Sequence, residues 1–392
     1  MHNTYSSVSE KEINSRISRL KSSMSEMDVD GFLLLSTVET FYYSGVGLES
    51  AVYIPKEEEP TYLVKRNINL AHEYSAINNI KEFGRLSQIF ETLKISDGTK
   101  IALELDILPF SYVKYLESTK NVILTNGSHV LRNIRAIKSN YEISQISQAA
   151  SLVDSSFEYC KEIASPEMSE IDLAAKLDHW LLKNGHQGYI TTRGFNSALL
   201  NYSYVIGKSS STLNIHFTPI SGWGLSLKYP YGPSTQKLGN NPFFVDSCGN
   251  QNGYISDTTR TFTFGKFNER TKEKIEALIE IKKYLIGVLK PKADLGAIYA
   301  ESMSLAKELR IYDNFMGESQ DKVAFLGHGV GLELDELPIL YSRGLKLSEG
   351  NVLACEPKYI EKGKIVLGIE DTMAITNSSS QLLSKSPDFF EI

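Results

Sequence analysis

The chain has 392 residues, 42% of them apolar, which is enough for two or three domains with buried cores. Its 47 acidic and 41 basic residues give a net charge of −6 and are spread without a basic block, which excludes nucleic acid as a partner. Three cysteines are too few and too odd for a disulfide framework, and the polar N-terminus and lack of any apolar run near the ~20 residues that span a bilayer point to a cytoplasmic protein without a membrane partner.

In chain order, Ser9-x-x-Glu12 reads as a capping box, followed by Ile13, Ile17, Leu20, Met24 and Met27 at steps of four and three, so the first element is an amphipathic helix. Short apolar runs follow at 31–35, 51–54, 62–64, 101–105 and 122–124, separated by turn signals and by a helix-like stretch at 108–116. This half reads as a small α/β domain. The segment from Asn126 to Ile137 leads into a second capping box, Ser139-x-x-Glu142, which opens a helix with Ile143, Ile146, Ala150, Val153, Phe157 and Cys160 on one face. A boundary near 135 gives two domains, 1–135 and 136–392. In the second, helices are expected at 140–164, 169–183, 268–289 and 294–309, with strand-rich blocks at 186–264 and 322–375, an α+β pattern.

The first strand-rich block contains VDSCGNQNGYISDTTRTF, where Asp246 and Asp257 flank the turn signal Asn252-Gly253. A two- or four-residue hairpin loop here puts both carboxylates on one sheet face, opposed or one pair apart. Two like charges that close destabilise the fold unless something positive lies between them. In VLACEPKYIEKGKIVLGIEDT, Glu356 and Glu370 are centred on Gly363, so a three-residue loop makes them a second opposed pair. Between the two hairpins, His328 lies in GHGVG, framed by glycines that permit close backbone approach. Two Asp, one His and two Glu form a hard-oxygen set with one imidazole, suited to Mn, Co, Fe or Zn. Two divalent ions would neutralise four buried carboxylates, and ions about 3.5–4 Å apart can share a water and polarise a carbonyl. That is the equipment of a hydrolase. GHGVGL does not fit a dinucleotide fingerprint, because Leu332 takes the sixth position.

These residues resemble the family of methionine aminopeptidase, prolidase, aminopeptidase P and creatinase. D-x(10)-D followed by TTRTF matches Asp246 and Asp257, GHGVG matches His328, CEPKY matches Glu356, and GIEDT matches Glu370. The resemblance covers nearly the whole chain. It implies a creatinase-like α/β N-terminal domain and a C-terminal catalytic domain with the α+β pita-bread fold. It also implies a dimer, two divalent ions such as Mn, Co or Zn on the five ligands, and Glu356 as general base. The substrate implied is a peptide with an Xaa-Pro bond, cleaved as by a prolidase or Xaa-Pro aminopeptidase. Two alternatives follow from relatives: hydrolysis of a small non-peptide amide or amidino compound, as in creatinase, or a binding protein that has lost catalysis.

Several positions depart from the family pattern. The second histidine of H-E-x-P, seven residues after the ligand histidine, is Asp335 in DELP. A protonated carboxyl there could still donate to a substrate carbonyl. The histidine that precedes the first metal aspartate corresponds to His216 as a substrate-facing residue, or is lost if the alignment puts Asn201 there. E-P-G becomes Glu356-Pro357-Lys358, and the arginine two before the last glutamate becomes Gly368. Cys248 and Cys355 flank ligand positions, where buried, inert thiols are expected.

Overall fold

The computed structural model describes residues 7–194, 202–207, 209 and 222–392, and the chain divides into two compact units, 1–135 and 136–392. No helix among the described residues is long and apolar enough to cross a membrane.

The first unit holds α1 (Glu10–Met27), β1 (Gly31–Leu34), α2 (Thr37–Ser44), β2 (Ser50–Pro55), β3 (Thr61–Val64), α3 (Ile68–Tyr74), β4 (Ile80–Glu82), α4 (Ile89–Thr92), β5 (Lys100–Leu103), α5 (Phe110–Thr119), β6 (Ile123–Asn126) and α6 (Ser128–Ala136), the last reaching the boundary. The strands form one mixed sheet in the order β4-β3-β2-β1-β5-β6. Ser9 caps α1 by accepting from the Glu12 N–H at 3.3 Å. The reciprocal half of the expected capping box does not form. Glu12 instead accepts from Arg16 Nε at 2.9 Å, one turn on, and the fully buried Arg16 lies 4.2 Å over the Tyr42 ring.

The second unit opens with α7 (Asn140–Ile163) and α8 (Glu170–Lys183), followed by β7 (Ser203–Ile206), β8 (Phe243–Gln251), β9 (Tyr254–Thr263), α9 (Glu269–Val288) and α10 (Leu295–Glu308). Then come β10 (Phe325–Gly329), β11 (Glu336–Tyr341), β12 (Val352–Cys355), β13 (Lys358–Glu361), β14 (Ile365–Gly368), β15 (Asp371–Ile375), β16 (Ser380–Leu382) and β17 (Phe389–Glu391). The capping box of α7 is reciprocal, with Glu142 N donating to Ser139 Oγ at 3.2 Å and Ser139 N to Glu142 Oε2 at 2.9 Å. The block at 186–264 is less strand-rich than expected, because among its described residues only β7, β8 and β9 are strands.

Two sheets carry this unit, one in the order β17-β9-β8-β7 and one in the order β11-β10-β12-β15-β16. Helices α7 and α8 cover the first through Val153, Phe157, Leu173 and Leu177 against Val245 and Phe262. Helices α9 and α10 cover the second through Leu278, Ile281, Leu285 and Ile298 against Leu326, Leu340 and Leu353. Each sheet therefore buries one apolar face under helices and leaves the other to meet its neighbour. The sheets are joined where Asp257 N donates to Thr372 Oγ1 at 3.0 Å and Thr372 Oγ1 donates to the Asp257 carbonyl at 2.8 Å. A buried pair between Arg260 Nη2 and Asp371 Oδ1 at 2.6 Å completes the join.

Candidate active site

In the first ribbon, Asn252 (φ 49°) and Gly253 (φ 84°) form the two-residue loop between β8 and β9, left-handed at both positions as a type I′ turn requires. Asp246 then pairs with Thr259, and Cys248 with Asp257. The two aspartates lie diagonally, one pair apart on one sheet face, because residues two apart along a strand share a face.

In the second ribbon, the three-residue loop 362–364 with Gly363 at φ 73° sets Lys358 opposite Gly368 and Cys355 opposite Asp371. Glu356 and Glu370 fall at the step between these two ladders, where the chain passes from the five-stranded sheet to the β13–β14 hairpin. Their backbones are tied to neighbours: Glu356 N donates to the Leu326 carbonyl at 3.1 Å, and Glu370 N to the Thr259 carbonyl at 3.0 Å. Ile360 and Val366 pack on Phe244 and Ile206, which seats the hairpin over β8.

His328 lies on β10 between β11 and β12, opposite Ile339 and Ala354. The strand approaches its neighbours too closely for side chains at the framing glycines: a Cβ on Gly329 would stand 2.3 Å from the Leu337 carbonyl oxygen. His328 Nδ1 lies 3.2 Å from the Gly329 carbonyl oxygen, which can only accept, so Nδ1 is the donor and the neutral ring keeps its lone pair on Nε2. That nitrogen faces Asp257 Oδ2 at 3.8 Å and Glu356 Oε1 at 3.9 Å.

The structure brings Asp257, His328 and Glu370 together, with one ligand atom of each within 4.8 Å of the others. Glu356 adjoins them. Asp246 lies on the same face, with its carboxylate turned toward the ammonium of Lys358. Lys358 Nζ stands 2.6 Å from Glu356 Oε2, 3.3 Å from Glu370 Oε2 and 3.4 Å from Asp246 Oδ2, and its side chain is 2% exposed. Sequence reasoning noted Lys358 as a departure and did not place its charge in the cluster. The available signal was its spacing, since a residue two after Glu356 on a strand points to the same face.

The electrostatics follow from burial. Burial first, then Glu370 and Asp246, push Asp257 well above the usual carboxylate range. Burial raises Glu370 to about 8, although Lys358 pulls the other way and Thr259 Oγ1 donates to Glu370 Oε2 at 2.6 Å. Burial disfavours the Lys358 ammonium, yet Glu356, Glu370 and Asp246 together hold its pKa well above the ordinary lysine value. Four carboxylates and one ammonium still leave an excess of negative charge, and the oxygens and imidazole of Asp257, His328 and Glu370 suit a divalent cation.

Asp335 accepts from the Arg193 backbone N–H at 2.7 Å and lies within electrostatic reach of His328. It is an exposed residue, and partial desolvation raises its pKa despite that hydrogen bond. His216 and the competing Asn201 lie outside the described residues. Cys248 and Cys355 are buried, with burial raising both thiols; Cys248 Sγ donates to Asp257 Oδ1 at 3.6 Å. Sequence reasoning also missed the buried Lys138–Glu336 pair at 2.9 Å. It steadies the turn after His328, where Leu332 N donates to Glu336 Oε1 at 2.9 Å.

Residues 144–377 match the model of metallopeptidase family M24, and residues 16–137 match that of the creatinase/prolidase N-terminal domain. Among curated relatives, an Xaa-Pro dipeptidase of Pyrococcus furiosus is 27% identical over 386 residues, covering 95% of this chain and 98% of its own. Among solved structures, the prolidase from Pyrococcus horikoshii OT3 aligns with a TM-score of 0.79 at 24% identity, over 95% of this chain and 99% of that one. An Xaa-Pro dipeptidase from Bacillus anthracis aligns with a TM-score of 0.81 at 22% identity, over 97% and 99%. These likenesses show the pita-bread fold that the motifs implied.

Proposed function

The chain belongs to metallopeptidase family M24, and from that premise we propose that it is a divalent-metal-dependent peptidase that cleaves the bond preceding proline. The observation that carries the proposal is the convergence of Asp257, His328 and Glu370 in a buried, electronegative cluster beside Glu356. The names of its relatives, Xaa-Pro dipeptidase and prolidase, support the substrate class.

Of the paired ions, Mn, Co or Zn, that the five-ligand resemblance implies, the position on Asp257, His328 and Glu370 carries this chemistry. A divalent ion held there would polarise the scissile carbonyl and lower the pKa of adjacent water. Glu356 takes the proton from the attacking water as general base. Its Oε2 is held by Lys358, and its Oε1 faces His328. Asp335 lies where the family pattern has its second histidine; as a protonated carboxyl it could donate to a substrate carbonyl, and as a carboxylate it could not. His216 is proposed to face substrate on the motif resemblance alone. A homodimer in the cytoplasm is part of the same proposal, checked by light scattering and cell fractionation.

The test is a substrate panel on metal-reconstituted protein: Xaa-Pro dipeptides, longer Xaa-Pro peptides, and small amides and amidino compounds. Turnover of the proline peptides, abolished by chelation, is expected. Asp335, and Lys358 facing Gly368, favour the second reading, hydrolysis of a non-peptide C–N bond. Turnover confined to the small amides would select it, whereas a protein that binds metal and turns over nothing would be a binding member of the family.

A further inference from the structure

The four carboxylates that frame the site do not share one cation environment. Asp246 Oδ2, Glu356 Oε2 and Glu370 Oε2 all turn toward Lys358 Nζ, at 3.4, 2.6 and 3.3 Å. Asp257 instead faces His328 Nε2 at 3.8 Å. We propose that the Lys358 ammonium is a built-in cation at the Asp246 end of the cluster, so that the chain binds one divalent ion, on Asp257, His328 and Glu370, where the family motif implies two. The proposal rests on the metallopeptidase reading and concerns only how many ions that site takes.

Three observations carry it. First, the lysine does not behave as a surface lysine with its stem along the protein and its head in water, since its side chain is 2% exposed and its ammonium ends on three carboxylates. Second, the position is built for it. Lys358 lies directly opposite Gly368, and a Cβ on that glycine would stand 3.2 Å from Lys358 Cγ and 3.1 Å from Thr259 Cγ2. The two departures from the family motif, lysine after Glu356-Pro357 and glycine before Ile369-Glu370, are therefore one cross-strand pair. The missing side chain on one strand gives the long one on the other its path to the cluster. Third, a second ion would compete with Nζ for the same oxygens: Asp246 Oδ2 and Glu370 Oε2 already face the ammonium at 3.4 and 3.3 Å, and a dication seated between them would stand against that buried positive charge.

The experiment uses the full chain, loaded with excess Mn(II) and equilibrated by dialysis, with Mn per chain measured by mass spectrometry and the spin state by low-temperature EPR. Wild type is expected to hold one Mn per chain with the six-line spectrum of an isolated ion, and K358A to hold two with exchange coupling between them. Two ions or a coupled spectrum in wild type would overturn the proposal, as would one ion in both proteins. Should K358A not fold, D246N in the lysine-bearing chain decides: it is expected to keep the single ion that D257N loses, and loss of the ion in D246N counts against the proposal. Absence of metal from wild type and K358A alike would overturn this proposal together with the metallopeptidase reading. One ion without turnover of any proline peptide would overturn the substrate reading alone.

Discussion

Replacing Lys358 by alanine in chelator-treated protein removes the partner of Glu356 Oε2 at 2.6 Å and the neighbour of Glu370 and Asp246. The Lys358 and Glu356 side chains are 2% and 5% exposed, so the pair is of the buried kind. Breaking such a pair from one side costs about 3–5 kcal/mol, where an exposed pair would cost at most about 1 kcal/mol. At about 2–4 °C per kcal/mol for a unit of this size, the midpoint of thermal unfolding is expected to fall by roughly 6–20 °C.

The fall depends on pH. Burial raises Asp257, and raises Glu370 to about 8, so folding takes up protons there that the unfolded chain has released. Stability from these two groups is therefore present at acid pH and is lost as pH rises from the ordinary carboxylate range through their folded values. Protons can stand in for the missing ammonium at low pH, so the deficit of K358A should shrink near pH ~5 and widen near pH ~8. Added Mn should recover most of the deficit, because a divalent ion supplies charge to the same oxygens. The assay is differential scanning calorimetry at both pH values, with chelator and with Mn. A loss below about 1 kcal/mol at the higher pH, the value of an exposed pair, would refute the reasoning, as would a loss undiminished in acid.

Four further outcomes follow. Thr259→Val deletes the 2.6 Å hydrogen bond that orients Glu370 and should weaken metal binding by about 10–100-fold in calorimetric titration, with the fold intact by circular dichroism. Gly329→Ala sets a Cβ 2.3 Å from the Leu337 carbonyl oxygen, with backbone as the obstacle, and should lower stability by at least about 1–3 kcal/mol in urea titration while displacing His328. All three cysteines are buried with raised pKa values, so native protein should show no thiol reactive to Ellman's reagent at mildly alkaline pH, and denatured protein should show all three. Asp371 is held below its usual pKa by Arg260 and Lys282 against its burial, so its contribution is present above the unfolded carboxylate value and lost as pH falls through the folded one. Asp371→Asn should therefore lower the unfolding midpoint at neutral pH, and the gap to wild type should narrow in strong acid.

Much of the site is local geometry, which is why it could be read from the chain. Asn252-Gly253 and the Gly363 loop set the registers of the two ribbons, and the period-2 pleat carries those registers along to Asp246, Asp257, Glu356 and Glu370. The capping box at Ser139 and the apolar stripe of α7 are equally short-range. Only half of the Ser9 box forms, because Glu12 has a competing partner one turn away in Arg16, which packs on Tyr42 from outside the helix. The parallel pairing of β17 with β9 and the Arg260–Asp371 pair left no local pattern at all.

The sequence by itself determined which residues share a face, because strand pleat and turn length act over a few residues. Only the tertiary structure decided what those faces meet. Ile360 and Val366 settle the hairpin on Phe244, Gly368 opens a path on the strand opposite, and the ammonium of Lys358 arrives among carboxylates from two ribbons. A side chain with four flexible bonds can point many ways, and the choice among them lies with packing and charge from segments more than a hundred residues distant.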